Sequence, residues 1–193
     1  MKPNKRRIIG LTGTIASGKS TVAAYLRDEK GAAWIDADQV SRQVTDELAE
    51  AIAAEFGQQV LEDGKLVRSR LAEQVFHDPV KLQKLNALLH PAICSQIRAW
   101  IEAQTADVLV IEAIELMRSE LKDMITELWV VYAEPAVRAM RMQKARGYSE
   151  EDALARIQSQ LADDVYLAYG GKVINGGGSM AELYARCDML LEE

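Results

Sequence analysis

Two hydrophobic patterns alternate along this chain. Short runs rich in Val, Ile and Leu predict strands that are buried on both faces, as in a parallel sheet, whereas segments with apolar residues every three or four positions predict helices. The strand pattern occurs at 8–11, 33–35, 108–111, 128–132 and, more weakly, 173–174. The alternation of such strands with helices predicts an α/β fold with a parallel sheet.

The long stretch between the second and third predicted strands has no strand-like run. Its apolar residues recur at helical spacing, as at Ile93, Ile97 and Ile101, and therefore predict a mainly helical insertion over 37–103. Within the insertion, the sequence Glu-Asp-Gly-Lys at 62–65 is typical of a turn. A second helical stretch, from residue 136 to about residue 161, is polar and rich in arginine.

Composition and charge narrow the range of partners. With 193 residues and 49% hydrophobic content, the chain can build one sizeable core without disulfides or structural metals. Its 23 Lys and Arg against 29 Asp and Glu leave a net charge of −6, which argues against nucleic acid or an anionic membrane as the main partner. An anionic small molecule remains compatible with this charge.

The N-terminal region and the two cysteines indicate where in the cell the protein is expected. The first apolar stretch breaks at Gly10, so it is too short for a signal peptide or a membrane span. Cys94 and Cys187 are far apart and predict reduced thiols rather than a disulfide framework. We expect a cytoplasmic protein, as a monomer or a weak homo-oligomer. His77 is expected at the surface.

One motif carries specific chemistry. Residues 13–20 match G-x-x-x-x-G-K-[ST] and lie between a predicted strand and a predicted helix, the context of a P-loop. Its backbone N–H groups and helix N-terminus bind phosphates, Lys19 bridges the β- and γ-phosphates, and Ser20 holds Mg²⁺. The expected ligands are therefore ATP and Mg²⁺, in a P-loop NTPase-type three-layer sandwich. The predicted contacts are Gly13, Thr14, Ile15, Ala16, Ser17, Gly18, Lys19, Ser20 and Thr21.

P-loops also serve motors and switches, so other residues must indicate the reaction. The chain lacks the Asn-Lys-x-Asp run with which a GTPase reads guanine. A small-molecule kinase needs a base, and Asp36 and Asp38 follow the second predicted strand, where open α/β sheets bind ligands. Either carboxylate could instead cap a helix, an alternative that is stronger for Asp36. The arginines of 138–156 form either a solvated helix face or a lid over the transferred phosphoryl group.

Several motifs together resemble the bacterial dephospho-CoA kinases, which phosphorylate a ribose 3′-hydroxyl in the last step of coenzyme A synthesis. The resemblance covers nearly the whole chain. It rests on residues 10–13 before the P-loop, Ile-Asp-Ala-Asp at 35–38 with Arg42, residues 63–64 with 68–71 and 75–76, and Leu-His-Pro-Ala-Ile at 89–93. It implies a P-loop core of 1–36, 104–137 and 169–193, a helical CoA-binding insertion over 37–103, and a helical lid over 138–168.

The resemblance also implies roles for single residues. Asp38 is implied to be the general base, and the other implied site residues are Lys19 and Arg141 for catalysis, Arg42, Arg70 and His90 for the substrate, and Arg141 and Arg146 in the lid. His90 has an alternative interpretation. Because Pro91 follows it, the pair on chemical grounds alone predicts the start of a helix.

The chain departs from the family's pattern in two places. Glu112 lies in the stretch where a Pro-Leu-Leu run is usual, at the end of a predicted strand, and is expected to contact the acceptor or to order a magnesium-bound water. Near the lid end, Tyr166 and Leu167 replace Lys-Arg, and Gly176 replaces an Asn on the adenine side. We therefore expect a high KM for ATP and poor discrimination against GTP, and we expect Gly176→Asn to lower that KM.

Three functions fit these observations. The first is ATP-dependent phosphorylation of dephospho-CoA. The second is a kinase of the same fold for another small hydroxyl acceptor, although the insertion over 37–103 is larger than a shikimate-sized acceptor requires. The third is a non-catalytic ATP-binding homologue, which the changes near the lid end suggest. An ATP-consumption assay with several acceptors separates the three.

Overall fold

A computed structural model describes residues 6–76 and 78–193, so the prediction for His77 lies outside the described residues. Five parallel strands form one sheet in the order β2-β5-β1-β6-β7, and a separate two-stranded antiparallel hairpin pairs β3 with β4. The strands are β1 Arg7–Gly13, β2 Ala33–Asp36, β3 Leu61–Glu62, β4 Lys65–Leu66, β5 Val108–Glu112, β6 Glu127–Tyr132 and β7 Lys172–Asn175. The predicted parallel sheet is confirmed, and each predicted strand is longer than its apolar run.

Helices occupy most of the remaining described chain. They are α1 Lys19–Lys30, α2 Ala37–Glu47, α3 Ala49–Phe56, α4 Arg68–Val75, α5 Pro79–Ala103, α6 Pro135–Arg146, α7 Glu150–Gln158, α8 Asp163–Ala168 and α9 Met180–Glu192. None of the helices in 6–76 and 78–193 combines the length and the apolar character needed to cross a bilayer. The chain divides into two compact units: a sheet unit, which joins the chain up to Asp36 with Gln104–Glu193, and a helical unit, Ala37–Ala103.

The core of the sheet unit explains why its strands read as apolar runs. β1 lies at the centre of the sheet, and residues 9–14 are all buried. One buried cluster joins Leu26 of α1, Trp129 of β6 and Leu183 of α9. Because parallel strands are covered on both faces, their residues are apolar along the whole strand. The P-loop follows β1 at its carboxyl end, the edge where open α/β sheets bind ligands.

A charged network lies at the amino end of β6. Glu127 accepts hydrogen bonds from the guanidinium of Arg7, from the indole of Trp129 at 3.1 Å and from the ammonium of Lys172 at 3.2 Å. Burial acts to raise the pKa of Glu127, but the hydrogen bonds from these three donors outweigh it and hold that pKa below its ordinary value. The network therefore stabilises the ionised carboxylate.

The predicted polar helical stretch of 136–161 is divided into two helices and followed by a third. Gly147, in the left-handed conformation, ends α6, and α7 and α8 follow. Arg138 is only 1% exposed and donates to the Ala133 carbonyl oxygen at 2.9 Å and to Asp163 at 2.6 Å. The interpretation of Arg138 as part of a solvated helix face is wrong, because the side chain is buried and its charge fastens α6 to the start of α8.

The helical unit contains α2 to α5 and the hairpin β3–β4, whose connection falls at the predicted turn. Its longest element, α5, runs through Pro91, so the interpretation of His90-Pro91 as a helix start is wrong. A proline inside a helix removes one backbone hydrogen bond. The helix continues because Leu85, Leu89 and Ile93 bury one face of it on both sides of the proline.

Candidate active site

The P-loop, residues 13–20, connects β1 to α1. Gly18 precedes the helix with φ of 111°, a conformation that a side chain would strain, and Ala16 also has positive φ. α1 begins at Lys19, and the residue before it, Gly18, provides no side-chain cap. This is the arrangement in which a helix N-terminus binds a phosphate.

The ammonium of Lys19 is held across this loop. Its Nζ donates to the carbonyl oxygens of Gly13 at 2.8 Å and Thr14 at 3.0 Å, and the residue is 8% exposed. A buried ammonium needs hydrogen-bond acceptors, and phosphate oxygens would satisfy this need with stronger, charge-assisted bonds. The position of Lys19 thus suits the phosphate contact predicted for it.

Residues of the predicted lid contact the P-loop directly. Arg141 donates to the carbonyl oxygens of Ala16 at 3.1 Å, Ser17 at 3.3 Å and Gly176 at 2.5 Å. Gln160 accepts a hydrogen bond from the backbone N–H of Ile15 at 2.7 Å. These contacts tie α6, the segment after α7 and the loop after β7 to the phosphate-binding loop.

Two further residues of the predicted lid, Arg146 and Tyr166, lie in α6 and α8. Arg146 is the last residue of α6, and its side chain is outside the part of the chain that the structure describes. Tyr166, which replaces a basic residue of the family, is 2% exposed and lies beside Thr14 and Val131 in the sheet unit. A buried tyrosine here fills space under the loop and supplies no cation.

Gly176 lies against the P-loop backbone. Its N–H donates to the Tyr132 carbonyl at 2.7 Å, and a Cβ added to it would lie 1.9 Å from the carbonyl oxygen of Ser17. The expectation that Gly176→Asn improves ATP binding is therefore wrong. Any side chain at this position must displace either the loop after β7 or the P-loop itself.

Glu112 ends β5 beside the P-loop. In the parallel register it stands opposite Asp36, the last residue of β2. It is 6% exposed, and its two carboxylate oxygens have different partners: Oε2 accepts from the indole of Trp34 at 3.1 Å, and Oε1 lies 3.4 Å from the hydroxyl of Ser20. The structure thus brings Glu112 to Ser20, the residue predicted to hold Mg²⁺.

The pKa of Glu112 is raised above its ordinary value. Burial is the main cause, and the charge of Asp36 acts in the same direction. Lys19, Trp34 and Ser20 oppose this shift, Lys19 by its charge and the other two by hydrogen bonds. The carboxylate is therefore held in an environment that would gain from an additional cation.

The residues present fit a magnesium ion. The hydroxyl of Ser20 and the carboxylate of Glu112 offer oxygen atoms, which Mg²⁺ prefers. Among residues 6–76 and 78–193, no group of three or more His, Cys, Asp or Glu side chains is arranged as a metal cage. A site with few protein oxygens suits Mg²⁺, which usually keeps several waters and binds together with substrate phosphates.

Within the helical unit, Asp38 lies in the first turn of α2 and is half-buried. A helix N-terminus favours a carboxylate there, so this position suits an ionised group. Arg42 lies one turn later and is exposed, and its carbonyl oxygen accepts from Arg68 at 3.0 Å. Arg68 also pairs with Asp46 at 2.7 Å.

The other two implied substrate residues of the helical unit are held differently. Arg70 donates to the carbonyl oxygen of Leu61 at 3.1 Å and pairs with Glu62 at 3.0 Å, so that it fastens α4 to the hairpin. His90 is half-buried within α5. Arg70 thus has a structural role in the hairpin that the sequence did not reveal.

Sequence reasoning missed Trp34 as a site residue, because the strand pattern at 33–35 predicts only burial. It is half-buried, and its indole contacts the carboxylate of Glu112. The signal was available in the strand pattern. Trp34 precedes Asp36 by two residues and therefore lies on the same face of β2, at the strand end where Asp36 stands opposite Glu112.

Comparisons with known proteins identify the family to which this chain is similar. The CoaE dephospho-CoA kinase family model matches residues 7–182. A dephospho-CoA kinase from Synechocystis sp. is 36% identical over 187 residues, which cover 94% of this chain and 93% of that protein. A crystal structure of a Thermus thermophilus protein superposes with a TM-score of 0.86 at 28% identity, with 96% of each chain covered.

The fold is also shared more widely. A shikimate kinase from Bacteroides thetaiotaomicron superposes with a TM-score of 0.56 at 14% identity, covering 96% of each chain, a likeness that concerns the fold alone. The predicted P-loop-type α/β fold is thereby confirmed. Taken with the P-loop and the extent of the family match, these similarities show that the chain belongs to the dephospho-CoA kinase family.

Proposed function

We propose that this protein transfers the γ-phosphoryl group of ATP to the ribose 3′-hydroxyl of dephospho-CoA, giving coenzyme A and ADP. The observation that carries the proposal is the meeting of Lys19, Ser20 and Glu112 at the P-loop of a chain that belongs to this kinase family. The lysine supplies a cation for phosphate, and the two oxygen donors supply a place for a metal.

ATP binds with its phosphates on the P-loop. Lys19 leaves its two carbonyl acceptors for the β- and γ-phosphates, and the N–H groups at the start of α1 bind the same oxygens. Ser20 and Glu112 would hold Mg²⁺, which neutralises charge on the transferred group. Because the transition state is loose, most of the acceleration comes from these placed charges.

The acceptor is bound by the helical unit and activated by Asp38. The Asp38 carboxylate takes the proton of the 3′-hydroxyl as the new P–O bond forms and the bond from the γ-phosphorus to the β,γ-bridging oxygen breaks, releasing ADP. Arg42, Arg70 and His90 contact the anionic acceptor, for which guanidinium groups are well suited. The pairing of Arg70 with Glu62 supports a role that includes shaping the hairpin as well as charge.

Residues 138–168 act as the lid. Arg141 and Arg146 add positive charge near the transferred group, and the contacts of Arg141 to three carbonyl oxygens support a second task, the fixing of the P-loop. The absence of a basic residue at Tyr166 and of a side chain at Gly176 favours a high KM for ATP and weak preference over GTP. The reaction takes place in the cytoplasm.

The test is ADP formation by the purified protein with Mg²⁺ and ATP, using dephospho-CoA, adenosine and shikimate as parallel acceptors. We expect turnover with dephospho-CoA alone. Turnover with another acceptor would indicate a different kinase of the same fold. ATP binding without turnover on any acceptor would indicate a non-catalytic homologue.

A further inference from the structure

We propose that Trp34 is a positioning residue that holds Glu112 so that its carboxylate faces the hydroxyl of Ser20. The inference rests on the proposed function in one respect, the binding of nucleotide and Mg²⁺ at the P-loop. It adds a residue of β2 to the phosphate side of the site. Trp34 acts only through Glu112 and contacts no reacting atom.

The sheet register brings the two side chains together. Trp34 stands opposite Val110, and Asp36 stands opposite Glu112, so Trp34 and Glu112 are diagonal neighbours on one face of adjacent strands. The indole N–H of Trp34 is 3.1 Å from Oε2, whereas Ser20 Oγ is 3.4 Å from Oε1. An ordinary O–H···O bond measures about 2.5–3.0 Å, so the indole makes the better hydrogen bond of the two.

The chemistry of indole suits this task. Its N–H donates and cannot accept, so it always presents the same partner to the carboxylate. The negative charge of Asp36, on the neighbouring strand, acts against a charged Glu112 at this position. The indole N–H of Trp34, bonded to Oε2, opposes that repulsion and keeps Oε1 directed at Ser20.

The ring of Trp34 is itself held in place. It packs against the buried cluster of the sheet unit, and the guanidinium of Arg27 lies 5.5 Å from the ring centre. A Trp34→Phe substitution keeps an aromatic ring for both contacts and removes the N–H. This variant therefore separates the hydrogen bond from the packing.

Loss of the indole N–H should weaken the binding of Mg²⁺ and leave the binding of the acceptor unchanged. Groups that orient a metal-binding residue are worth about 10- to 100-fold in metal affinity or activity. For Trp34→Phe we expect an about 10-fold rise in the half-saturating Mg²⁺ concentration and an unchanged KM for dephospho-CoA.

The chain offers a matched control. The indole of Trp129 donates to Oε2 of Glu127 at 3.1 Å, the same contact in the same sheet but away from Ser20. Trp129→Phe should keep the Mg²⁺ dependence of the wild type. Glu112→Met, which removes the carboxylate at similar volume, completes a double-mutant cycle with Trp34→Phe.

Three measurements are needed. The first is Mg²⁺ activation of turnover with dephospho-CoA. The second is calorimetric binding of ATP across a Mg²⁺ titration, which needs no turnover. The third is the ¹⁵N–¹H spectrum of the indole groups, in which the Trp34 signal should move on Glu112→Met and the Trp129 signal should not.

The cycle decides between positioning and general structural support. Trp34→Phe should add less than about 2-fold to the effect of Glu112→Met, since the two residues act through one contact. Additive effects, an equal loss in Trp129→Phe, or a Trp34 signal that ignores Glu112→Met would each overturn the proposal. If wild type binds Mg²⁺ and ATP without turnover, the proposed function fails while the binding and spectral results still decide on Trp34. The spectral test also stands if Trp34→Phe does not fold.

Discussion

The contact between Gly176 and the P-loop makes a sharp prediction for Gly176→Ala. The added methyl carbon would lie 1.9 Å from the carbonyl oxygen of Ser17 and 3.0 Å from Cγ1 of Val131. The nearer atom belongs to the backbone of the phosphate-binding loop, so it cannot turn away as a side chain does. We therefore expect the substitution to displace the P-loop.

The size of the effect follows from the distances. An ordinary C···O contact is about 3.3 Å, whereas the added methyl carbon would lie 1.9 Å from the Ser17 oxygen. The two backbones must therefore move apart by about 1.4 Å. A misplacement of about 1 Å in a reacting group costs roughly 10²-fold in rate. We expect kcat/KM for ATP to fall about 100-fold and the free energy of unfolding to fall by about 1–3 kcal/mol.

Gly177→Ala is the matched control. A methyl group on Gly177 would have its nearest contacts with Oδ1 of Asn175 at 3.2 Å and with Cβ of Ala133 at 3.8 Å, and both atoms belong to side chains. We expect this neighbour to keep kcat/KM within about 2-fold and stability within about 0.5 kcal/mol of wild type.

Steady-state kinetics with varied ATP and denaturant unfolding of both variants test the reasoning. Kinetics are measured where circular dichroism shows both proteins folded. If Gly176→Ala matched Gly177→Ala in kcat/KM, the close approach of Gly176 to Ser17 would not control the P-loop, and the reasoning would be refuted.

Further predictions concern charge. Lys19→Ala should abolish turnover and weaken ATP binding, because its ammonium supplies the cation for the β- and γ-phosphates; unchanged calorimetric affinity would contradict this. Asp38→Asn should lower kcat by about 10²–10⁴-fold at nearly constant ATP affinity, and Asp36→Asn by less, whereas the reverse ranking in steady-state kinetics would move the base to Asp36. Glu127→Gln should lower the free energy of unfolding at pH 7, because the folded protein lowers the pKa of Glu127 and so gains stability above the unfolded value. In urea unfolding this difference should shrink as the pH falls below the unfolded pKa of about 4.3 towards the lower folded pKa, and a constant difference would argue against an ionised Glu127.

The sheet could be predicted because burial on both faces leaves a simple pattern. Residues 9–13 of the central strand are all buried, and the motif at 13–20 begins at its last residue. Lys19 and Ser20 lie in the motif itself, so their places follow from the sequence alone. A site whose residues are contiguous in the chain can therefore be predicted from the sequence.

What the sequence hides is chemistry between distant segments. The pairing of Arg138 with Asp163 and the contact of Trp34 with Glu112 join residues 25 and 78 positions apart. Neither contact changes the hydrophobic pattern, so the local sequence predicts only that these residues lie in a helix or a strand. Pro91 shows the opposite case, in which a strong local signal yields to the burial of a helix face.

The identity of the product tests the central claim most directly. Purified protein is incubated with Mg²⁺, ATP and dephospho-CoA, and the products are analysed by ³¹P NMR and mass spectrometry, with Lys19→Ala as the inactive control. We predict a new phosphate monoester on the ribose 3′-oxygen, one coenzyme A for each ADP, and no product with Lys19→Ala. Consumption of ATP without coenzyme A, or phosphate at another position of the acceptor, would contradict the account.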